Sequence, residues 1–286
     1  EIKSILQYEE IERKLNYSAL SQFLTYAYTI DGQTLFENIF ELLPGQKLVY
    51  SFEDQKFNIS NYWELNLHDS FDSEDVILKK LEKHLTKSIK MRLESDVPIG
   101  ALLSGGLDSS IMVAILSKIT ETPVKTFTTG FGHELDEYRE AKIVAEHCET
   151  NHQEIELSYK KLTSSLPTIL WHMEFPFGRP SILSNFLVAE EVKKYVTVAY
   201  TGEGSDELFG GYNRYLIYTN KNKMSLTEKI NSIPSGFFPT QLDRKNFFSS
   251  KLTERPSDET NPNVAFSKIL EKNQNHDLLN QVLLFE

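Results

Sequence analysis

Cysteine and basic residues are both scarce in this chain. Of its 286 residues only Cys148 is a cysteine, and 30 lysine and arginine residues stand against 41 aspartate and glutamate residues. One cysteine excludes an internal disulfide framework and fits a reducing compartment. The net charge of −11 excludes a general nucleic-acid surface, because phosphate backbones require clustered basic residues. No apolar stretch reaches the length of a membrane span, and the histidines lack the spacing of a zinc site. The expected protein is cytoplasmic and acts on small molecules.

Strand and helix patterns alternate through the middle of the chain. The expected elements are helix 76–93, strand 99–103, helix 109–119, strand 124–129, helix 137–148, strand 153–157, helices 160–171 and 184–194, and strand 196–200. This alternation predicts an α/β fold, a parallel sheet with helices on both faces. A helical run over 19–28 and a hairpin of 47–51 with 56–62 precede it as a smaller β-rich part. The polar stretch 65–73 predicts the linker.

Residues 99–114 read IGALLSGGLDSSIMVA, an apolar strand that breaks into a glycine turn and resumes as an apolar helix. Such a unit builds an anion site, because glycines let the backbone approach a ligand and the first N–H groups of the helix point at its phosphates. Ser104 and Ser109 add hydroxyl donors. Asp108 would repel a phosphate unless a cation lay between them, so it predicts Mg²⁺. The loop lacks both the Walker and the GxGxxG patterns, and an ordinary tight turn is the alternative.

A second segment, residues 196–215, reads VTVAYTGEGSDELFGGYNRY. Its first residues predict a buried strand, which Glu203, Asp206 and Glu207 follow. Folding alone explains three acids at a strand end poorly, and open α/β sheets bind ligands outside the carboxyl ends of their strands. We therefore expect both loops to face one nucleotide. Asp108 and Asp206 would share a metal ion, and Glu203 would be free for polar chemistry.

SGGLDSS and TGEGSDELFGGYNRY together resemble the synthetase domain of the glutamine-hydrolysing asparagine synthetases. That family has the pyrophosphate-loop ATP pyrophosphatase fold, which is adenine nucleotide α-hydrolase-like. Segments 126–131, 136–154 and 174–177 also resemble the family, in its order. Residues 18–63 resemble the end of the family's glutaminase domain, whose nucleophilic cysteine has no match here. The resemblance implies a glutaminase remnant over 1–66 and an ATP pyrophosphatase domain over 70–286, and it predicts truncation at both ends.

The resemblance implies a carbon–nitrogen ligase that uses ATP and Mg²⁺. ATP would activate a carboxylate as an acyl-adenylate, and ammonia would then displace AMP. Aspartate is the expected substrate, asparagine the product and glutamine the nitrogen source of the intact protein. Pyrophosphate binding is implied for four loop residues, Ser104, Gly105, Gly106 and Ser109. Adenosine contacts are implied for four residues near strand ends, Leu103, Thr129, Thr201 and Gly202. The two metal ligands would be Asp108 and Asp206, and the catalytic residue that handles the proton would be Glu203.

The sequence departs from the family's frequent patterns near the expected substrate. Thr201 replaces the usual serine, Thr129 replaces an apolar residue, and residues 173–176 read Met-Glu-Phe-Pro where Asp-Glu-Pro is frequent. These changes leave open a related enzyme that amidates a surface sugar or closes a ring, as in β-lactam or lasso-peptide formation. A fragment that binds nucleotide without turnover stays open, as does a homodimer. The acidic segment argues against other pyrophosphate-loop enzymes such as NAD or GMP synthetases.

Overall fold

The computed structural model describes residues 1–66, 71–134, 136–175, 178 and 181–212. These residues fall into two compact units. The first comprises residues 1–66, 172–175, 178 and 212, and the second comprises residues 71–134, 136–171 and 181–211. The division into a glutaminase remnant and a pyrophosphatase domain stays a prediction, and residues 213–286 of the latter lie outside the described residues. Within the described ranges no helix combines the length and apolar character needed to cross a membrane.

The first unit contains two helices and a hairpin. Its elements are α1 (Ile2–Ile5), α2 (Tyr17–Tyr26), β1 (Gln46–Ser51) and β2 (Lys56–Asn61). The side chain of Asn16 caps α2 by accepting a hydrogen bond from Ala19 N at 3.1 Å. The helix ends at Ala27 in the left-handed conformation. β1 and β2 pair antiparallel, as the predicted hairpin.

The second unit alternates strands and helices, as the sequence predicts. Its elements are α3 (Glu74–Arg92), β3 (Ile99–Leu102), α4 (Leu107–Ile119), β4 (Lys125–Gly130), α5 (Tyr138–His147), β5 (Asn151–Glu156), most of α6 (Tyr159–Met173), α7 (Ser181–Val192), β6 (Val198–Tyr200) and α8 (Ser205–Phe209). The four strands form one sheet in the order β5-β4-β3-β6, and each neighbouring pair is parallel.

Hydrophobic cores lie on both faces of this sheet, because successive strand residues point to opposite sides. On one face, α3, α4 and α5 pack around side chains that include Ala101, Leu103 and Val113. On the other face, α7 packs around Phe127, together with Val196 from the segment before β6. The predicted α/β fold with helices on both faces is confirmed.

The strand order creates a crevice between β3 and β6. From β3 the chain runs through α4 and α5 on one face of the sheet to reach β5. It then returns through α7 on the opposite face and places β6 on the other side of β3. Such a reversal opens a crevice outside the carboxyl ends of the two strands, where open α/β sheets bind ligands. The loops that follow β3 and β6 both carry predicted site residues.

Several elements differ from the sequence predictions. α7 begins three residues earlier than expected, β5 begins two residues earlier, and β6 is shorter than the predicted buried strand, with Val198 exposed. α4 begins at Leu107, two residues earlier than expected, because Gly106 takes the extended conformation of an N-cap. The sequence does not predict α8, which occupies part of the acidic segment. The apolar face predicted for α3 is only partly used, since Ile89 is buried whereas Leu78 is exposed.

Candidate active site

The loop after β3 is a tight turn that requires glycine at residue 105. Gly105 has a φ of +82°, in the left-handed region that favours glycine. A Cβ at this position would lie 2.5 Å from Glu140 Cβ and 2.6 Å from Ala141 N. The loop backbone therefore packs directly against the first turn of α5, closer than a side chain would allow.

Two serines hold this loop in shape. Ser104 N donates to Ser109 Oγ at 3.3 Å, and Gly106 N donates to Ser104 Oγ at 3.2 Å. The two hydroxyl oxygens lie 3.0 Å apart. Ser110 adds a hydrogen bond from its hydroxyl to Gly106 O at 2.6 Å. Because the loop's own hydroxyls fix the turn, a phosphate would meet a preformed site, which lowers the entropic cost of binding.

The loop after β6 lies against the first turn of α4. A Cβ on Gly202 would lie 3.1 Å from Ser109 N and 3.3 Å from Asp108 Cβ. These separations are tighter than ordinary van der Waals contact, so a larger residue would have to displace the start of the helix. The contact of Gly202 with the start of α4 brings together the two segments that the sequence predicts to face one nucleotide.

The short helix α8 fixes the position of Asp206. The helix follows Gly204, whose φ is +91°, and Ser205 Oγ donates back to Gly202 O at 2.9 Å. Gly211 N donates to the backbone oxygen of Asp206 at 2.9 Å. A Cβ on Gly211 would collide with Asp206 Oδ1. The carboxylate of Asp206 thus lies over the backbone of Gly211, and a side chain there would displace it.

Three carboxylates near this crevice lack a partner within the described part of the chain. The side-chain oxygens of Asp108, Glu203 and Asp206 accept no hydrogen bond there, and none of these residues forms an ion pair with a described residue. Within the same ranges no group of three or more histidine, cysteine, aspartate or glutamate side chains is placed to hold a metal ion. A cation at Asp108 and Asp206 would therefore complete its coordination with phosphate oxygens and water, as Mg²⁺ commonly does.

The residues predicted to contact adenosine differ in how accessible they are. Thr201 is exposed, and Thr129 is half-buried near the end of β4. As a whole residue Leu103 is only 1% exposed, and its side chain packs in the core beneath the sheet. Its backbone is engaged as well, since Leu103 N donates to Phe127 O at 2.8 Å and Leu103 O accepts from Thr128 Oγ1. The structure therefore leaves no exposed group of Leu103 for a nucleotide.

Asp136 supports this edge of the sheet and is not among the site residues that the sequence predicts. Its Oδ2 accepts hydrogen bonds from Phe131 N at 2.9 Å and His133 N at 2.8 Å. A Cβ on Gly130 would lie 2.5 Å from the same oxygen. Asp136 thereby fixes the turn that follows Thr129. Aspartate shortly after a strand is a common turn signal, so the sequence could have indicated this role.

Glu174, from the predicted acidic-proline segment, lies in the first unit. Its carboxylate accepts hydrogen bonds from Ile2 N at 2.6 Å and Lys3 N at 2.8 Å, and it pairs with Lys3 Nζ at 3.2 Å. Although desolvation opposes the effect, these hydrogen bonds lower the pKa of Glu174. Its carboxylate stabilises the start of α1, while residues 176 and 177 of the segment lie outside the described residues.

Known proteins match this chain over most of its length. The sequence profile of the asparagine synthase family matches residues 80–286. A relative from Methanocaldococcus jannaschii is 31% identical over 80% of this chain and 45% of its own length. Asparagine synthetase 1 (glutamine-hydrolysing) of Bacillus subtilis is 32% identical over 78% of the chain and 34% of that protein. Amidase chry2 of Gibberella zeae is 26% identical over 79% of the chain and 36% of that protein. The chain thus spans between a third and a half of the length of these curated relatives.

Proposed function

Because the chain belongs to the asparagine synthase family, we propose that its second unit binds ATP and Mg²⁺ at the crevice between β3 and β6 and activates a carboxylate for amide formation. The contact of Gly202 with the first turn of α4 carries this proposal, since it brings the phosphate-type loop and the acidic segment to one place. The carboxylates of Asp108, Glu203 and Asp206, which lack a partner among the described residues, support it, because carboxylate oxygens are the ligands that Mg²⁺ prefers.

The loop after β3 is assigned to the phosphate end of the nucleotide. The first N–H groups of the thirteen-residue helix α4, together with the hydroxyls of the loop, suit a pyrophosphate. The proposed pyrophosphate residues are Ser104, Gly105, Gly106 and Ser109. The proposed adenosine contacts are Thr129, Thr201 and Gly202, while Leu103, which is buried and hydrogen-bonded to β4, holds the start of the loop.

The donor set at the crevice fits a magnesium ion. Asp108 and Asp206 offer carboxylate oxygens, the ligands that Mg²⁺ prefers, and both lack a partner among the described residues. Gly202 holds the loop after β6 against Asp108, and Gly211 leaves room only for the carboxylate of Asp206. Asp108 and Asp206 would hold the ion, which would supply positive charge to the departing pyrophosphate.

The proposed reaction has two displacement steps. A carboxylate oxygen of the substrate attacks the α-phosphorus of ATP, and the bond to the bridging oxygen breaks to release pyrophosphate. The acyl-adenylate carries AMP, a far better leaving group than hydroxide. Ammonia then attacks the acyl carbon, the carbon–oxygen bond to AMP breaks, and Glu203 takes a proton from the added nitrogen. Glu203 suits this role, because its carboxylate is exposed and has no partner in the described ranges.

Aspartate is the proposed acyl substrate, and glutamine is the proposed nitrogen source of the whole protein. The curated relatives named asparagine synthetase support both assignments. A second candidate is amide formation on a different carboxylate, which the amidase-named relative favours together with Met173 and Phe175 in place of the frequent pattern. We propose a cytoplasmic location, since the reaction consumes ATP.

Pyrophosphate release by the full-length protein, with Mg²⁺-ATP, ammonia and a panel of carboxylates, tests the proposal. We expect release with aspartate, accompanied by equal amounts of AMP and asparagine. Release with another carboxylate alone would replace aspartate by the second candidate. ATP binding without release under any of these conditions would support a binding role and contradict the proposed reaction.

Glu203→Gln is expected to separate the two steps. Amide formation should fall by about 100-fold or more, because a positioned general base contributes that much. Adenylate formation, measured as exchange of labelled pyrophosphate into ATP, should change by less than about threefold, because that step needs no proton transfer to Glu203. Glu121→Gln makes the same chemical change at an exposed residue just beyond α4 and should alter neither rate. Equal losses in both steps would contradict the assigned role.

A further inference from the structure

A chain of polar side chains connects the edge of the sheet to the loop after β3. Thr126 and Thr128 point to the same face of β4, and His152 lies on β5 directly opposite Thr126. Thr126 Oγ1 lies 2.8 Å from Thr150 Oγ1 and 2.9 Å from His152 Nδ1. Thr128 Oγ1 lies 3.5 Å from His152 Nε2 and donates a hydrogen bond to Leu103 O. The last of these acceptors is the carbonyl that immediately precedes Ser104.

The hydrogen bonds of this chain have a consistent direction. A threonine hydroxyl has one proton, and Thr128 donates it to Leu103 O. The oxygen of Thr128 is then available to accept from Nε2–H of His152. The other ring nitrogen is left to accept from the hydroxyl of Thr126. With the ring proton on Nε2, the hydroxyl of Thr128 therefore both donates to Leu103 O and accepts from His152.

The surroundings of His152 favour the neutral ring that this arrangement needs. Burial is the main cause that lowers the pKa of His152, Lys142 acts in the same direction, and Glu154 opposes them. Glu146 and Glu149 also line the cleft that this ring faces. A neutral imidazole has one donor and one acceptor nitrogen, which matches the two threonines beside it.

We propose that Thr128 is a positioning residue for the nucleotide loop, an inference that rests on the proposed function of that loop. The carbonyl of Leu103 and the N–H of Ser104 belong to one planar peptide group. A hydroxyl that fixes the carbonyl therefore also fixes the direction of the N–H. That N–H donates to Ser109 Oγ, which is one of the hydroxyls assigned to pyrophosphate. From its buried position, Thr128 thus fixes the orientation of the peptide group between Leu103 and Ser104, and with it the position of Ser109 Oγ.

The burial of the two threonines supports a role for their hydroxyls. Thr126 and Thr128 are 0% and 3% exposed, and the buried Val124 lies immediately before β4. A buried hydroxyl costs free energy unless it is hydrogen-bonded, whereas valine of nearly the same shape would not incur that cost. The hydroxyl of Thr128 is therefore better explained by the bond that it makes to Leu103 O than by packing.

Thr128→Val and Thr126→Val in the full-length protein make a matched pair. Both replace a buried threonine on the same face of the same strand, but only Thr128 contacts the loop. We expect Thr128→Val to raise the dissociation constant and the KM for Mg²⁺-ATP about tenfold, the effect of one hydrogen bond. The KM for the carboxylate should not change. Thr128→Ser, which keeps the hydroxyl, should stay within about twofold of the wild type, and Thr126→Val within about threefold.

Amide hydrogen exchange over residues 104–110 gives a readout that does not depend on turnover. Exchange there should accelerate in Thr128→Val and not in Thr126→Val, at similar melting temperatures. If the wild type binds Mg²⁺-ATP and both valine variants lose affinity equally, or neither does, the positioning role is overturned and the proposed function stands. If the wild type does not bind Mg²⁺-ATP, the proposed function fails. Whatever the result for ATP, unchanged amide exchange over residues 104–110 in Thr128→Val would overturn the positioning role of Thr128.

Discussion

Pyrophosphate release is expected to fall by about 100-fold or more when Asp108 is replaced by asparagine. The substitution keeps the size of the side chain and removes the charge that would hold Mg²⁺ against the phosphates. Because Asp108 has no partner among the described residues, the change breaks no described contact. The loss should therefore appear in the rate and in the Mg²⁺ requirement, while the melting temperature stays close to that of the wild type.

Glu121→Gln is the control for Asp108→Asn, because it makes the same carboxylate-to-amide change beyond the opposite end of α4. It should leave the rate within about twofold, as expected for an exposed surface charge. A partial rescue of Asp108→Asn by raised Mg²⁺ would further identify the ion as the missing partner. Retention of more than about a third of the wild-type rate by Asp108→Asn, at subsaturating Mg²⁺, would refute a metal-binding role of this size.

Gly105→Ala is expected to lower the free energy of unfolding by about 3 kcal/mol or more. Two independent costs contribute, since an alanine at a φ of +82° is strained by roughly 1–3 kcal/mol and overpacking adds a similar amount. The overpacking arises because the new methyl group would lie 2.6 Å from Ala141 N, a backbone atom that cannot swing aside. Urea denaturation followed by circular dichroism would measure the loss.

Gly106→Ala is the matched control for this loop. Gly106 has a φ of −67°, and a Cβ there would meet only the side-chain oxygen Ser104 Oγ at 3.3 Å. It should therefore change the free energy of unfolding by less than about 1 kcal/mol. Equal stability of the two alanine variants would mean that the loop does not pack against α5.

The elements that the sequence predicts well are those with a strong local signal. The apolar strand, glycine turn and apolar helix over 99–119 were placed to within two residues, because both periodicity and composition change at the turn. α8 was missed because its five residues lie between glycines, Gly204 and Gly210, which normally indicate a loop. The meeting of the two loops could be anticipated, since parallel strands end at one edge of a sheet.

Unlike Asp136, the buried supporting residues Thr126, Thr128 and His152 could not be predicted, because their partners depend on strand register. His152 meets Thr126 only because β5 pairs with β4 in the register Thr126↔His152. Nothing in the local sequence fixes that register. Leu103 shows the same limit, since its side chain is buried in the core and its backbone is hydrogen-bonded to β4, and both follow from the assembled sheet rather than from the local sequence. The roles of the predicted site residues stay predictions, although the structure places Gly202 against Asp108 and Ser109.

The contact between Gly202 and α4 also has a consequence for folding. Strands β3, β4 and β5 follow one another through single helices, so their pairing closes only short loops. β6 pairs with β3 although nearly a hundred residues separate them in the sequence. Closing so long a loop costs conformational entropy before the contacts of the pairing can offset it. A nucleotide that contacts both loops would bind only the state in which β6 is paired with β3. Because ATP would bind only this paired state, it would raise the free energy of unfolding by mass action. Protease resistance near β6 would then rise with ATP concentration.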